Sequence, residues 1–176
     1  MPQVIVALAL MALSYIVQQA LMEEPEIEET ERGHLVNTKS STEPIPLLYG
    51  ESRMGINIVY EGTSGADNKY LHIVGNVCEG EVEGIVQVDG IDQIWLNDKL
   101  WNEYVDGSGN PLVTYTFHTG SSTQTVDTDL QAAIPEWNDA KRYTAYIYLK
   151  IKYDRDVFQN VPEVTMLVQG LKGDIS

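Results

Sequence analysis

The sequence has few of the residues from which most reaction centres are built. It contains one cysteine, Cys78, and three histidines, His34, His72 and His118, among 176 residues. A single cysteine excludes an internal disulfide, and the scattered cysteine and histidines exclude a cysteine–histidine zinc site. The apolar neighbours of Cys78 indicate a buried small side chain rather than a reactive thiol.

Basic residues are also scarce. The chain has 11 Lys and Arg against 26 Asp and Glu, which gives a formal net charge of −15. Binding nucleic acid through its phosphates needs a basic surface, and so does polybasic attachment to anionic membranes. The composition argues against both. The acidity indicates solubility or, alternatively, an acidic lumen or docking face. With 43% hydrophobic residues, the chain can bury one good core or two small ones.

Residues 1–22 predict an apolar helical arm, because they are rich in Ala, Leu and Met and apolar on every side of a helix. No Lys or Arg precedes Arg32, so the basic flank of a signal peptide is missing. Glutamines at both ends confine the apolar run to residues 4–17, which is shorter than a membrane span of about 20 residues. We favour a helix buried against other subunits, with a membrane-interacting segment as the alternative.

Residues 23–43 predict an acidic and polar linker. The run Glu23–Glu31 is acidic and contains a proline, which is typical of a solvated spacer. Pro44 and Pro46 then favour an extended backbone and stop any helix. The folded β-rich domain is therefore predicted to span residues 44–176.

Short apolar runs separated by Gly, Pro, Asn and Asp predict a mainly β domain of sandwich or barrel type. Strands are predicted at residues 45–49, 56–61, 70–78, 84–88, 91–96, 113–118, 144–152 and 164–170. Asp89 and Gly90 lie between two of these runs and predict a tight hairpin turn.

One short internal helix is predicted at residues 125–134, with Asp127 or Thr128 as its cap. In the strand that follows, alternation places Tyr146 and Tyr148 on the polar face. Cross-strand packing explains these two tyrosines better than a ligand platform does.

The carboxylates of Glu79, Glu81 and Glu83 are the first candidates for acid–base chemistry, with Asp92 and Asp98 nearby in sequence. A glycosidase needs two carboxylates held across a cleft, one of them in an environment that raises its pKa. Alternation instead places the three glutamates on one wet face of an extended segment. The pattern argues against catalysis.

Other candidate sites are equally incomplete. Asp106, Ser108 and Asn110 present oxygen ligands at alternate positions, but the bidentate Glu of an EF-hand loop is missing, so a polar turn is the better interpretation. No glycine pattern matches a phosphate-binding loop.

The histidines give no catalytic pattern either. His72 is interpreted as a hydrogen-bonded structural residue, and proximity in sequence does not make Ser121 or Ser122 a nucleophile for His118. We therefore predict no catalytic, cofactor-binding or metal-binding residues, and no enzyme activity.

A series of short motifs follows in order along the domain. They are Ile45-Pro-Leu-Leu-Tyr-Gly50, Gly55-x-Asn-Ile-Val-Tyr-Glu-Gly62, Ser64-Gly-Ala-Asp-Asn-Lys-Tyr-Leu-His72, Cys78-Glu-Gly-Glu-Val-Glu-Gly84, Ile94-Trp-Leu-Asn-Asp98 and Pro162-Glu-Val-Thr-Met-Leu-Val-Gln-Gly-Leu-Lys172. In this order they resemble the N-terminal part of the phage tail-tip family, the central tail hub or tip attachment proteins of long-tailed bacteriophages.

The resemblance implies a trimeric, β-rich ring that closes the tail tube, joins it to the tip or baseplate, and opens for DNA passage. The implied partners are two further copies of the chain, the distal tail or tail tube protein, the C-terminus of the tape-measure protein and other tail-tip proteins. The implied location is the virion, after synthesis in the host cytoplasm. Family members are usually several times longer, so the resemblance assigns no receptor recognition to these residues.

Three other functions stay open from the sequence. A β-sandwich that binds a surface glycan or receptor would use Trp95 and Trp101 as platforms, which requires both to be exposed together. A cell-wall glycosidase would need two carboxylates about 5–10 Å apart in a cleft. A membrane-anchored domain would be held by residues 4–17.

Overall fold

The computed structural model describes residues 37–39, 44–154 and 156–170. The predicted arm, and all of the predicted linker except residues 37–39, lie outside these ranges, so their boundaries stay predictions. The described chain is mainly β, as the sequence predicts.

The described strands are β1 (Glu51–Gly55), β2 (Asn57–Ser64), β3 (Tyr70–Glu79), β4 (Gly84–Ile85), β5 (Gln87–Val88), β6 (Ile91–Asp92), β7 (Ile94–Leu96), β8 (Lys99–Leu100), β9 (Val113–His118), β10 (Thr144–Lys152) and β11 (Val164–Gln169). One α-helix, α1, is described at Thr128–Ala133, and two 3-10 turns at Ala66–Asn68 and Trp101–Glu103. Among the described helices, none has the length and apolar character needed to cross a membrane.

Two larger sheets make up the domain. The four-stranded sheet has the order β2-β3-β10-β9, and the five-stranded sheet has the order β1-β11-β7-β8 with β4 also paired to β11. All the strand pairs in both sheets are antiparallel. Strands β5 and β6 form a separate hairpin around Asp89 and Gly90, whose φ angles of 52° and 77° fit the predicted tight turn.

The two larger sheets bury their inner faces in one core. Ile73 and Ile147 from the four-stranded sheet and Met166 from the five-stranded sheet are fully buried in the same cluster. Along β10 and β11, every second side chain faces this core, and these inward-facing residues are apolar. Full burial of each such side chain stabilises the fold by about 1.5–3 kcal/mol.

The outer face of the four-stranded sheet is also partly covered. Tyr146 and Tyr148 are buried there against Val74 and against Leu130 of α1. Tyr148 pairs directly with Val74 across β10 and β3, which confirms the predicted cross-strand packing. The face that alternation marks as polar is nevertheless buried at this end, because α1 lies over it.

The strand predicted at residues 45–49 is wrong in extent. Leu47 forms only an isolated bridge with Glu79, and the regular strand begins at Glu51 instead. The prolines of the segment lack N–H groups for a ladder. The segment instead crosses between the sheets, because Pro46 O accepts from the Glu79 N–H and Gly50 O accepts from the Gly170 N–H.

Residues 37–39 are attached to both sheets. The Asn37 side chain donates to Pro162 O and accepts from the Val164 N–H, each at 2.9 Å. Thr38 forms a parallel bridge with Asn57 at the start of β2. This part of the predicted linker is therefore tied to the folded domain; we call residues 37–39 the Asn37 clamp.

Candidate functional site

The first polar cluster lies on the outer face of the four-stranded sheet and connects side chains from β2, β3 and β10. Ser64 Oγ lies 2.6 Å from His72 Nε2, and His72 Nδ1 lies 2.9 Å from the Tyr148 hydroxyl. His72 is fully buried, and this burial together with the positive charge of Lys150 lowers its pKa. The imidazole is therefore neutral at neutral pH, with one ring nitrogen donating and the other accepting.

This arrangement differs from a catalytic triad in its third member. A triad orients its histidine with a carboxylate that stabilises the imidazolium, whereas here the histidine meets a phenol. Burial raises the pKa of Tyr148 to about 12, so the phenol stays neutral. His72 is therefore hydrogen-bonded on both ring nitrogens, as the sequence interpretation expects.

The second polar cluster fixes the start of α1. Asp127 Oδ1 accepts from the Leu130 N–H at 2.7 Å, and Asp127 Oδ2 lies 2.7 Å from His118 Nε2. Burial raises the pKa of Asp127, but hydrogen bonds from His118 and the Leu130 N–H outweigh it and bring the pKa below its ordinary value. The His118 ring also stacks on Tyr146, with ring centroids 4.4 Å apart.

Asp127 is the cap that the sequence offers as one of two choices, but its pairing with His118 was missed. The pairing depends on β9 and α1 meeting in space, for which the sequence carries no local signal. Ser121 hydrogen-bonds Thr123, whereas His118 hydrogen-bonds Asp127.

The candidate carboxylates have different surroundings. Glu79, Glu81 and Glu83 are exposed, as alternation predicts. Asp92 is bound by the Tyr115 hydroxyl, and Asp98 Oδ1 accepts from Arg53 Nη2 at 2.6 Å.

The Asp106 segment is a polar turn, as predicted. Its carboxylate accepts from the backbone N–H groups of Asn110 and Ser108 at 2.9 and 3.0 Å. The hydrogen bonds from Asn110 are the main reason why the pKa of the Asp106 carboxyl lies well below its usual range. Within the described ranges, no group of three His, Cys, Asp or Glu side chains could hold a metal ion.

Cys78 and the two candidate tryptophans have packing roles. Burial raises the pKa of the Cys78 thiol to about 11, which fits the predicted inert thiol. The Arg53 guanidinium lies 4.4 Å from the Trp95 ring centroid, and Trp101 packs edge-on against Tyr115. Both indoles are half-buried, so the joint exposed platform that glycan binding requires is not formed.

Two surface features are relevant to association with other proteins. Near the end of β3 and the start of β10, the side chains of Leu47, Tyr49 and Tyr143 are 63%, 70% and 63% exposed. We call Tyr143 the knob.

At the other ends of β3 and β10 lies an apolar cavity of about 320 Å³. Its lining includes Leu71, Ile151, Phe158 and Val161, with Asn160 and Asp67 as polar members; we call it the Phe158 cavity. An exposed aromatic and an apolar cavity are features of protein interfaces.

Comparison with known proteins gives a likeness of fold. No family profile and no curated protein matches the chain. Among solved structures, the fold is similar to a chain from the virion of a native gene transfer agent particle, with a TM-score of 0.57 and 21% sequence identity. The match covers 80% of this chain but only 30% of that chain, so this chain corresponds to less than a third of the longer chain that it resembles.

Proposed function

We propose that this chain is a structural component of a phage-like virion. The observation that carries the proposal is the likeness of its fold to a chain of a gene transfer agent virion over 80% of its length. The two polar clusters described above support it, because their side chains hydrogen-bond one another and stabilise the fold.

The finer proposal is a tail hub or tip component that closes the tail tube, joins it to the tip or baseplate, and opens for DNA passage. The order of the sequence motifs supports it. In the structure, the Cys78–Gly84 motif leads from the four-stranded sheet to the five-stranded sheet, where the Glu83 N–H donates to Gln169 O. That motif therefore links the two sheets.

We propose further that the role is non-enzymatic and that the chain works as a homotrimer beside the tail tube and tape-measure proteins. An acidic lumen would not retain passing DNA, which suits a net charge of −15. A lumen lined by Lys and Arg would contradict this part. Hydrolysis of purified cell wall by the isolated protein would contradict a non-enzymatic role.

Localisation in purified particles tests the function directly. Antibodies against the described domain, visualised by gold labelling in electron microscopy, should decorate one end of the tail. Quantitative mass spectrometry of the same particles should give about three copies per tail if the chain forms one trimeric ring. Absence of the chain from particles would overturn the virion role, and labelling along the whole tail would overturn the tip position.

A further inference from the structure

We propose that copies of this chain associate head to tail, with the Tyr143 knob of one copy inserted into the Phe158 cavity of the next. The inference rests on the proposed function, because a ring component must contact its own copies. The partner is therefore a second copy of the same chain, and the two contact surfaces are different parts of each copy.

The knob is held in a conformation that costs free energy. Tyr143 has a φ of 64° and Lys141 a φ of 47°, both in the left-handed region that bulky residues rarely occupy. Such strain persists where surrounding contacts enforce it. As a result, the aromatic ring of Tyr143 is held exposed to solvent.

The contacts that enforce it come from a buried glutamine. The Gln124 side-chain amide donates to the carbonyl oxygens of Ala140 and Lys141, each at 2.9 Å. Its oxygen accepts from the Gly120 N–H at 2.9 Å. The Gly80 N–H donates to Tyr143 O at 2.7 Å. The knob's backbone is therefore fixed before any partner arrives, which lowers the entropy cost of association.

The Phe158 cavity fits a tyrosine side chain in size and chemistry. Its volume of about 320 Å³ and its apolar lining suit an aromatic ring. Gln159 and Asn160 also line it, and a buried tyrosine hydroxyl needs a hydrogen-bond partner of this kind. Aromatic anchors in such cavities carry much of the binding free energy at protein interfaces.

The knob cannot reach the cavity of its own copy. Tyr143 immediately precedes β10, and Ile151 of the cavity lies near its other end. At about 3.3 Å per residue, eight residues of strand separate them by about 26 Å. Contact between different surfaces of identical copies is heterologous, and it generates a closed ring when the rotation permits.

Charge complementarity supports the same pairing. Arg142, beside the knob, is exposed, and Asp67, which lines the cavity, is exposed as well. Asp67 forms no ion pair with any other residue that the structure describes. Bringing knob and cavity together places opposite charges beside each other, which favours this register over alternatives.

Two complementary variants of the full chain test the proposal, with association measured by sedimentation velocity. Tyr143→Ala removes the knob and keeps the cavity, whereas Asn160→Trp fills the cavity and keeps the knob. Each alone should weaken self-association by about 30-fold, the loss typical of an interface anchor. A mixture of the two should form 1:1 pairs and nothing larger, because each pair has only one intact contact.

The matched control is Tyr49→Ala, which removes another exposed tyrosine from the same part of the surface and should leave association unchanged. Monomeric wild-type protein at all concentrations, no pairs in the mixture, or an equal loss in the control would each overturn the proposal. Circular dichroism verifies that the variants fold.

A charge exchange gives a second measurement. Its deciding result is the restoration, because Arg142 Nε also donates to Gln124 O at 3.2 Å and Arg142→Asp removes that contact as well. Arg142→Asp or Asp67→Arg alone should weaken association, and the two together in one chain should restore it; failure to restore it would contradict the register. Purified protein that associates this way but is absent from particles would overturn the virion role alone. Particle-borne protein whose association ignores these variants would overturn the head-to-tail contact alone.

Discussion

Two buried polar side chains in this domain serve as hydrogen-bond partners, one for a buried tyrosine and one for a helix start. His72 does this for Tyr148, and Asp127 does it for Leu130 N–H and for His118. An unpaired buried polar group costs about 1–3 kcal/mol, so each of these residues should show a clear effect on stability and on its pH dependence.

His72 should make the protein less stable in mild acid. Its pKa is lowered by burial and by Lys150, so as the pH falls the unfolded chain binds a proton near pH 6.5 before the folded one does. Stability is therefore complete above about pH 6.5 and declines below it. Denaturant unfolding at a series of pH values checks this, and His72→Phe should abolish that part of the decline.

His72→Phe should also lower the free energy of unfolding at neutral pH by about 1–3 kcal/mol, because it leaves the Tyr148 hydroxyl without a hydrogen-bond partner. The double variant with Tyr148→Phe should recover part of the loss. A wild-type stability that stays flat between pH 7 and pH 5 would contradict the buried neutral imidazole.

Asp127 should stabilise the fold above its unfolded-state pKa. Its folded pKa is lowered, so the unfolded chain binds a proton first as the pH falls, and the contribution declines below about pH 4. Asp127→Ala removes both the cap and the His118 partner and should cost about 2–3 kcal/mol at pH 7. Asp127→Asn keeps a capping oxygen and should cost less.

Thr128→Ala is the control for that measurement, because Thr128 is exposed and makes no cap. It should stay within about 0.5 kcal/mol of wild type. Thermal and urea unfolding at pH 7 and pH 3 separate the three variants. Equal losses for Asp127→Ala and Thr128→Ala would mean that the cap contributes nothing.

At the scale of elements, turns with left-handed glycines determine where strands end and how closely they approach. Gly90 and Gly120 have similar φ angles of 77° and 85°. A Cβ at Gly90 would meet no atom within 4 Å, whereas a Cβ at Gly120 would lie 2.4 Å from Gly80 O. The two positions therefore separate backbone strain from steric clash.

Gly90→Ala should cost about 1 kcal/mol, the penalty of the left-handed conformation alone. Gly120→Ala should cost several kcal/mol, because the clash is with backbone that cannot move without breaking the Gly80–Tyr143 hydrogen bond. Chemical denaturation of both variants measures the difference. Equal losses in the free energy of unfolding would show that the backbone at residues 119–121 shifts readily to accommodate the added methyl group.

Most of the strands could be predicted because apolar alternation is strong in them. Strand β10 matches its predicted bounds, and β9 does so as well. Strand β1 was missed because Glu51-Ser-Arg is polar and only Met54 is buried. β1 forms because it pairs with β11, and the paired residues are more than a hundred positions apart in the sequence.

The clusters were predicted only in part for the same reason. The sequence identifies Asp127 as a cap because capping is local, but His118, Gln124 and the Phe158 cavity depend on which strands and loops meet. The knob was not predicted either, since a left-handed tyrosine breaks the usual preference and its cause is a distant buried amide.

At the scale of the whole molecule, the two larger sheets share one core. The described domain should therefore unfold in a single cooperative step. Variants that keep only Trp95 or only Trp137 report on the five-stranded sheet and on the cover over the four-stranded sheet, respectively. Their fluorescence transitions in urea should coincide.

Met166→Ala should shift both transitions together by about 2–5 kcal/mol, since it leaves a cavity in the shared core. A shift in the Trp95 signal alone would show that the sheets unfold separately and would contradict a common core.

The Asn37 clamp gives the domain a defined point at which mechanical load enters. Tension on the chain before Asn37 reaches β2 through Thr38 and the start of β11 through the Asn37 side chain, so both sheets carry it at once. The crossing segment that bears Leu47 and Tyr49 lies outside this load path. We expect Asn37→Ala to lower the first rupture force in single-molecule pulling from the N-terminal side, whereas Tyr49→Ala leaves it unchanged.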